Sequence, residues 1–74
     1  MNRQGFLFEL EKIMEIQPRK LELNTQLSDF NEWDSMTILG LISFIDNKFN
    51  KKITMDTIKK FKKVEDICIF LDIK

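Results

Sequence analysis

The run from Ser35 to Phe49 limits this chain more than any other stretch. Ile38, Leu41, Ile42, Ile45 and Phe49 recur there at helical spacing and fall within roughly a 100° arc of a helix surface. A helix with such a stripe gains most of its stability by burying it against other elements. Asn50 and the lysines after it end the run. Met36, Leu39 and Phe44 lie off the arc, and Met36 and Leu39 project on the side that also carries Ser43 and Asp46. Off-stripe apolar residues of this kind are either scattered surface or a docking patch. Gly40, in mid-helix, costs about 1 kcal/mol relative to alanine; a packing reason, a partner's close approach or a tolerated defect would each account for it.

The other helices must come from a short chain. Seventy-four residues make one domain, residues 1–74, that buries about 60% of the surface its unfolded chain exposes. Around Phe6, Leu10, Ile13 and Met14 the spacing predicts a first helix from Arg3 to about Ile16, capped by Asn2 and ended by Pro18. Phe8 points away from its apolar face, so it is either exposed or covered by a loop. Residues 17–34 have no period, and a loop of that length in a small domain must pack by its own apolar side chains or serve a function. Leu21, Leu27 and Phe30 are the expected anchors. Asp29, Asn31 and Asp34 suggest a calcium loop, but Asp34 stands at the sixth position, where glycine is required, and Gly40 at the twelfth, where glutamate is.

After Ile53, Thr54 can cap a short helix from Met55 to about Lys60. A last helix follows, Val64 to Leu71, with a stripe of Val64, Ile67, Cys68 and Leu71. Lys62 and Lys63 stand where a capping side chain would be, which leaves that helix poorly started. The expected fold is all-α: a small four-helix bundle, three main helices and one short, with a long loop between the first and second helices.

Composition removes several functions. The chain has no histidine, hence no Ser-His or Cys-His nucleophile pair and no side chain with an unperturbed pKa near neutrality; we expect no enzyme of its own. Cys68 is the only cysteine, which excludes an intrachain disulfide and a cysteine zinc cluster. On the core face with no basic neighbour there, it reads as a small buried hydrophobe. Twelve basic and twelve acidic residues give zero net charge, so no whole-molecule field draws nucleic acid or anionic lipid. Glu9, Glu11 and Lys12 interrupt any apolar signal core, and no stretch approaches a membrane span. The expectation is a soluble, cytoplasmic monomer that neither inserts into membranes nor binds nucleic acid.

Asp34 is a strong N-cap candidate, able to accept from the amides of Met36 or Thr37. Ser35 is then the first helical residue, with its hydroxyl in solvent beside unpaired amides, a place that tolerates a phosphate. On the residues alone, Asp34-Ser35 reads first as a plain helix start, as most Asp-Ser pairs do.

The run Trp33-Asp34-Ser35-Met36, followed by Ile38, Leu41-Ile42, Ile45, Phe49 and Ile53, resembles the Asp-Ser-Leu/Met attachment motif and second helix of acyl and peptidyl carrier proteins. The likeness extends over almost the whole chain in size, helix order and the long loop with Pro18, Leu21 and Leu27. It implies that Ser35 bears 4'-phosphopantetheine, with Asp34 as motif residue and cap. It also implies that an acyl or aminoacyl group rides as a thioester on the arm's thiol. The implied partners are a phosphopantetheinyl transferase, an acyl- or aminoacyl-activating ligase, and acyltransferases or condensing enzymes.

The chain departs from the fatty-acid carriers of that family. Asp46 is the only acid within the motif helix, Gly40 stands where an acid is often found, and Lys48 adds the opposite charge. The implied partner-binding residues are Met36, Leu39, Asp46, Lys59 and Lys60, with Lys62 and Lys63 extending the basic stretch; those lysines read equally as a solvated face. The departures resemble stand-alone carriers of specialised pathways, in which aminoacyl or short acyl groups go to cell-surface glycans or secondary metabolites, and Asp34-Ser35-Met36 also resembles D-alanyl carriers. Two rivals stand beside the carrier reading. One is a helical interaction domain; the other is a nucleic-acid binder using the lysines, whose patch Glu65 and Asp66 dilute. Trp33 either covers the loop or borders the arm.

Overall fold

Asn2 opens the first helix, its Oδ1 accepting from the Gly5 N–H at 2.8 Å. In the computed structural model, which describes residues 1–74, this helix is α1, Arg3–Met14. Its buried face is Phe6, Leu7, Leu10, Glu11 and Met14, so Leu7 and Glu11 join the expected face, whereas Ile13 is only half-buried. The expected end at Pro18 is corrected. Glu15 turns left-handed at φ 58°, and its N–H caps the carbonyls of Glu11 and Lys12 before the chain reaches the proline. Phe8 is exposed, with the Lys12 ammonium 4.5 Å from its ring centre.

The long segment after α1 contains a single 3₁₀ turn, Leu27–Asp29. Leu21 and Leu27 are buried as expected, and Phe30 is half-buried. Backbone hydrogen bonds fix the segment as much as these side chains do. The Leu27 N–H donates to the Lys62 carbonyl at 2.8 Å, the Val64 N–H to Thr25 at 3.2 Å and the Glu65 N–H to Leu23 at 2.9 Å. The Leu21 N–H donates to the Glu11 carboxylate at 3.0 Å. The loop therefore meets its polar requirement from two helices at once.

α2 spans Ser35–Phe49 and buries Ile38, Leu41 and Ile45. Ile42 and Phe49 are half-buried. Phe44, placed outside the arc by spacing, packs against the core with its ring 6.3 Å from Phe6 and 6.1 Å from Phe49. The buried face is wider on that side because Phe6 of α1 meets it there. A β-carbon on Gly40 would come within 3.3 Å of Ile13 Cγ2, so its mid-helix glycine has a packing reason: α1 crosses α2 there. Asn50, left-handed at φ 55°, ends the helix.

The short α3, Met55–Lys59, is capped by Thr54, whose Oγ1 accepts from the Thr57 N–H at 3.2 Å, and it buries Ile58. α4 is Val64–Phe70, and the stripe of Val64, Ile67, Cys68 and Leu71 is buried throughout, with Ile73 continuing it beyond the helix. The expectation that α4 starts poorly is corrected. Asp66 reaches back so that its carboxylate accepts from the amides of Lys63 at 3.0 Å and Lys62 at 3.1 Å. These hydrogen bonds, first from Lys63 and then from Lys62, hold the Asp66 carboxyl below its ordinary range. Burial pushes the Cys68 thiol up, against a weaker pull from Arg3.

The fold is thus all-α, four helices without a strand, in which α1 packs on α2 and α4, and α3 packs on α2. No helix is long and apolar enough to cross a membrane.

Candidate functional site

The start of α2 is built by Asp34. Its backbone is extended, at φ −125° and ψ −177°, and its Oδ1 accepts from the Thr37 N–H at 3.0 Å while its carbonyl accepts from Ile38 at 2.9 Å. Ser35 follows as the first helical residue and is exposed. The amides of the first turn that Asp34 does not engage have no intrahelical acceptor. Asp34→Ala is expected to lower stability by about 0.5–2 kcal/mol, read as a drop in Tm by circular dichroism; an unchanged Tm would show that the cap is not needed.

A groove of about 490 Å³ opens beside this junction. Trp33, Asp34, Ser35 and Ile38 line one side of it. Gln26 and Ser28 reach it from the loop, and Lys59, Phe61 and Lys62 from α3 and its exit. The loop and that exit meet because of the bond from Leu27 to Lys62. Trp33 is half-buried and packs on the core, and its N–H donates to the Phe30 carbonyl at 3.1 Å. It therefore borders both the loop and the groove.

Of the residues singled out from the sequence, Ser35, Asp34 and Lys59 come together. Lys60 is exposed and lies outside the groove's lining. Met36, at 82% exposure, and Leu39, at 56%, form an apolar outer face of α2. Met36 also borders a second recess of about 330 Å³, shared with Glu15, Glu32 and Asp34 among others. Asp46 lies about three turns further along α2 and is ion-paired within the chain to Lys52 at 3.0 Å. The sequence reading did not place Gln26, Ser28, Phe61 or Lys62 near Ser35. They arrive through long-range backbone pairing, for which the local pattern carries no signal.

Zero net charge conceals an uneven distribution. Residues 51–63 hold six lysines and one acid, Asp56, against six basic and eleven acidic residues elsewhere. With a screening length of about 8 Å at physiological salt, the charges felt at Ser35 are the local ones: Lys59 and Lys62 on one side, Asp34 on the other. A phosphodiester on the Ser35 hydroxyl would lie beside free first-turn amides and border the groove that Lys59 and Lys62 line, with the Asp34 carboxylate opposing. The residues present fit such a group. No cluster of three or more His, Cys, Asp or Glu side chains is arranged to hold a metal ion.

No family model, curated protein or solved structure matches this chain. The fold and junction define its class by themselves: a small all-α domain that presents an exposed serine at the start of its longest helix, beside a lysine-rimmed groove.

Proposed function

We propose that the chain is a carrier protein, modified on Ser35 with 4'-phosphopantetheine and acting in the cytoplasm as a monomer. The observation that supports this most is the position of Ser35, exposed at the first residue of α2 and bordering a groove with Lys59 and Lys62. When bound, the arm supplies a thiol that holds an acyl or aminoacyl group as a thioester, and the chain has no catalytic step of its own. Asp34 fixes the start of the helix so that Ser35 faces outward. Lys59 and Lys62 offset the charge of the phosphodiester. Met36 and Leu39 offer partner enzymes an apolar face.

The partners in this reading are a phosphopantetheinyl transferase, an activating ligase and an acyltransferase or condensing enzyme. The pathway is a specialised one, because the single acid within α2, Asp46, is already paired with Lys52 and leaves no acidic docking row. The exposure of Met36 and Leu39 also favours a second reading, a helical interaction domain without a cofactor.

Incubation with coenzyme A and a broadly permissive phosphopantetheinyl transferase, followed by mass measurement, separates the two. The carrier gains the mass of one arm, and the Ser35→Ala variant gains none. No gain in the unaltered protein, or an equal gain in the variant, overturns the carrier reading. Met36→Glu is expected to leave the helical signal intact while slowing this modification about tenfold, the effect of losing roughly 1.4 kcal/mol at an interface hot spot. A large loss of helicity would instead place Met36 in the core.

A further inference from the structure

We infer that the end of α4, with Phe61 and the lysines beside it, is a docking surface for an anionic phospholipid bilayer. The inference makes no use of a group on Ser35 and holds with or without one. α4 buries Ile67, Cys68 and the following Leu71 in the core, which leaves Ile69 and Phe70 outside, at 62% and 40% exposure. The Phe70 ring lies 5.6 Å from that of Phe61, which is half-buried and extends the apolar surface toward the exit of α3. The Lys51 ammonium stands 5.5 Å from the Phe70 ring centre, within cation–π reach. Lys63 precedes Phe70 by seven residues, two helical turns, and so lies on the same side of α4. Lys60 and Lys62 flank Phe61 in the chain.

The acids nearby do not cancel these charges. Asp66 directs its carboxylate to the amides of Lys62 and Lys63, and Asp46 is paired with Lys52. Asp72 is the only acid after Asp66. Against Asp66 and Asp72 stand Lys51, Lys60, Lys62 and Lys63, which leaves the surface positive and complementary to anionic headgroups.

Two features select a bilayer over an acidic protein. Residues 51–63 contain lysine and no arginine, and lysine is a point charge without the planar fork that engages a carboxylate through two parallel bonds. Point charges suit headgroups that move and have no fixed orientation. Ile69 and Phe70 also line none of the larger recesses of the molecule. A protein would have to supply pockets for them, whereas a bilayer accepts protruding apolar side chains at its headgroup boundary. Phe61 also lines the groove beside Ser35, so docking here brings that junction close to the lipid.

The unmodified protein is to be sedimented with phosphatidylcholine/phosphatidylglycerol vesicles and with vesicles of phosphatidylcholine alone. It is expected to bind the first, progressively less as salt is raised, and to stay in solution with the second. A lysine near an anionic surface strengthens binding about fivefold, so Lys51→Gln/Lys63→Gln should bind about 25-fold more weakly. Ile69→Ser should bind about tenfold more weakly through lost apolar burial. The three side chains replaced are exposed, so the helical signal in circular dichroism is kept. Absence of binding to the phosphatidylglycerol vesicles at low salt overturns the docking surface, as does equal binding to both kinds of vesicle. Undiminished binding by either variant overturns it too; if soluble polyglutamate then displaces the vesicles, the surface belongs to an acidic protein. All of these measurements use protein without an arm, so their failure leaves the carrier reading standing.

Discussion

Ile45→Ala is expected to remove about 2–5 kcal/mol of folding stability, the range for truncating a buried branched side chain to alanine. Ile45 is fully buried on α2, in the central helix against which α1 and α3 both pack. Truncation removes the transfer free energy of three carbon atoms and leaves a void in a core whose neighbours come from separate helices and cannot all close in. A domain this small has few kcal/mol in reserve, so the urea midpoint should fall steeply while the slope of the transition stays constant. The helical arc alone would assign the same loss to Ile42→Ala. Ile42 is only half-buried, so its truncation should cost clearly less, and the two variants measured side by side test the orientation of α2. Equal losses, or a loss under about 1 kcal/mol for Ile45→Ala, would mean that α2 presents a different face.

That contrast marks where sequence reasoning about this fold succeeds and stops. Period locates a face only to within about one position. It identified Ile38, Leu41 and Ile45, and the stripe of α4, because these residues repeat at helical spacing with no competing signal. It misplaced Phe44, which packs on the core because Phe6 reaches it from a neighbouring helix. Local capping chemistry was legible at Asn2, Asp34 and Thr54, since a cap and its acceptor lie within one turn. At α4 the cap comes from Asp66, inside the helix and reaching backwards, so a search for a capping residue at Lys62 or Lys63 missed it. The end of α1 was misread for a related reason: Pro18 is a strong breaker, but a left-handed Glu15 acts first.

The candidate site divides in the same way. Asp34 and Ser35 could be found because cap and serine are adjacent in the chain. The opposite wall could not, because Phe61 and Lys62 reach Ser35 only through hydrogen bonds between a loop and the entrance to α4 that are far apart in sequence. Charge counting misled in proportion: a total of zero averages out a lysine-rich segment whose effect is local.

Glu11→Ala is the second large expected effect, and it concerns a residue whose pattern gave no warning. Glu11 was notable in the sequence only for interrupting an apolar stretch, yet it is the one buried charged or polar residue, at 4% exposure. Its carboxylate accepts from the Leu21 N–H at 3.0 Å. Removing it strands a buried donor on Leu21 and opens a small void, an expected loss of about 1–3 kcal/mol. Glu11→Gln keeps an acceptor oxygen of nearly the same shape and should recover much of that loss. The damage should also be local. The amide of Leu21 loses its partner, whereas that of Leu27 keeps its bond to Lys62. Amide hydrogen exchange should therefore accelerate more at Leu21 than at Leu27 in Glu11→Ala. Equal acceleration at both would show that the loop opens as one unit, and the groove beside Ser35 would then depend on Glu11 as well as on the pairing of Leu27 with Lys62.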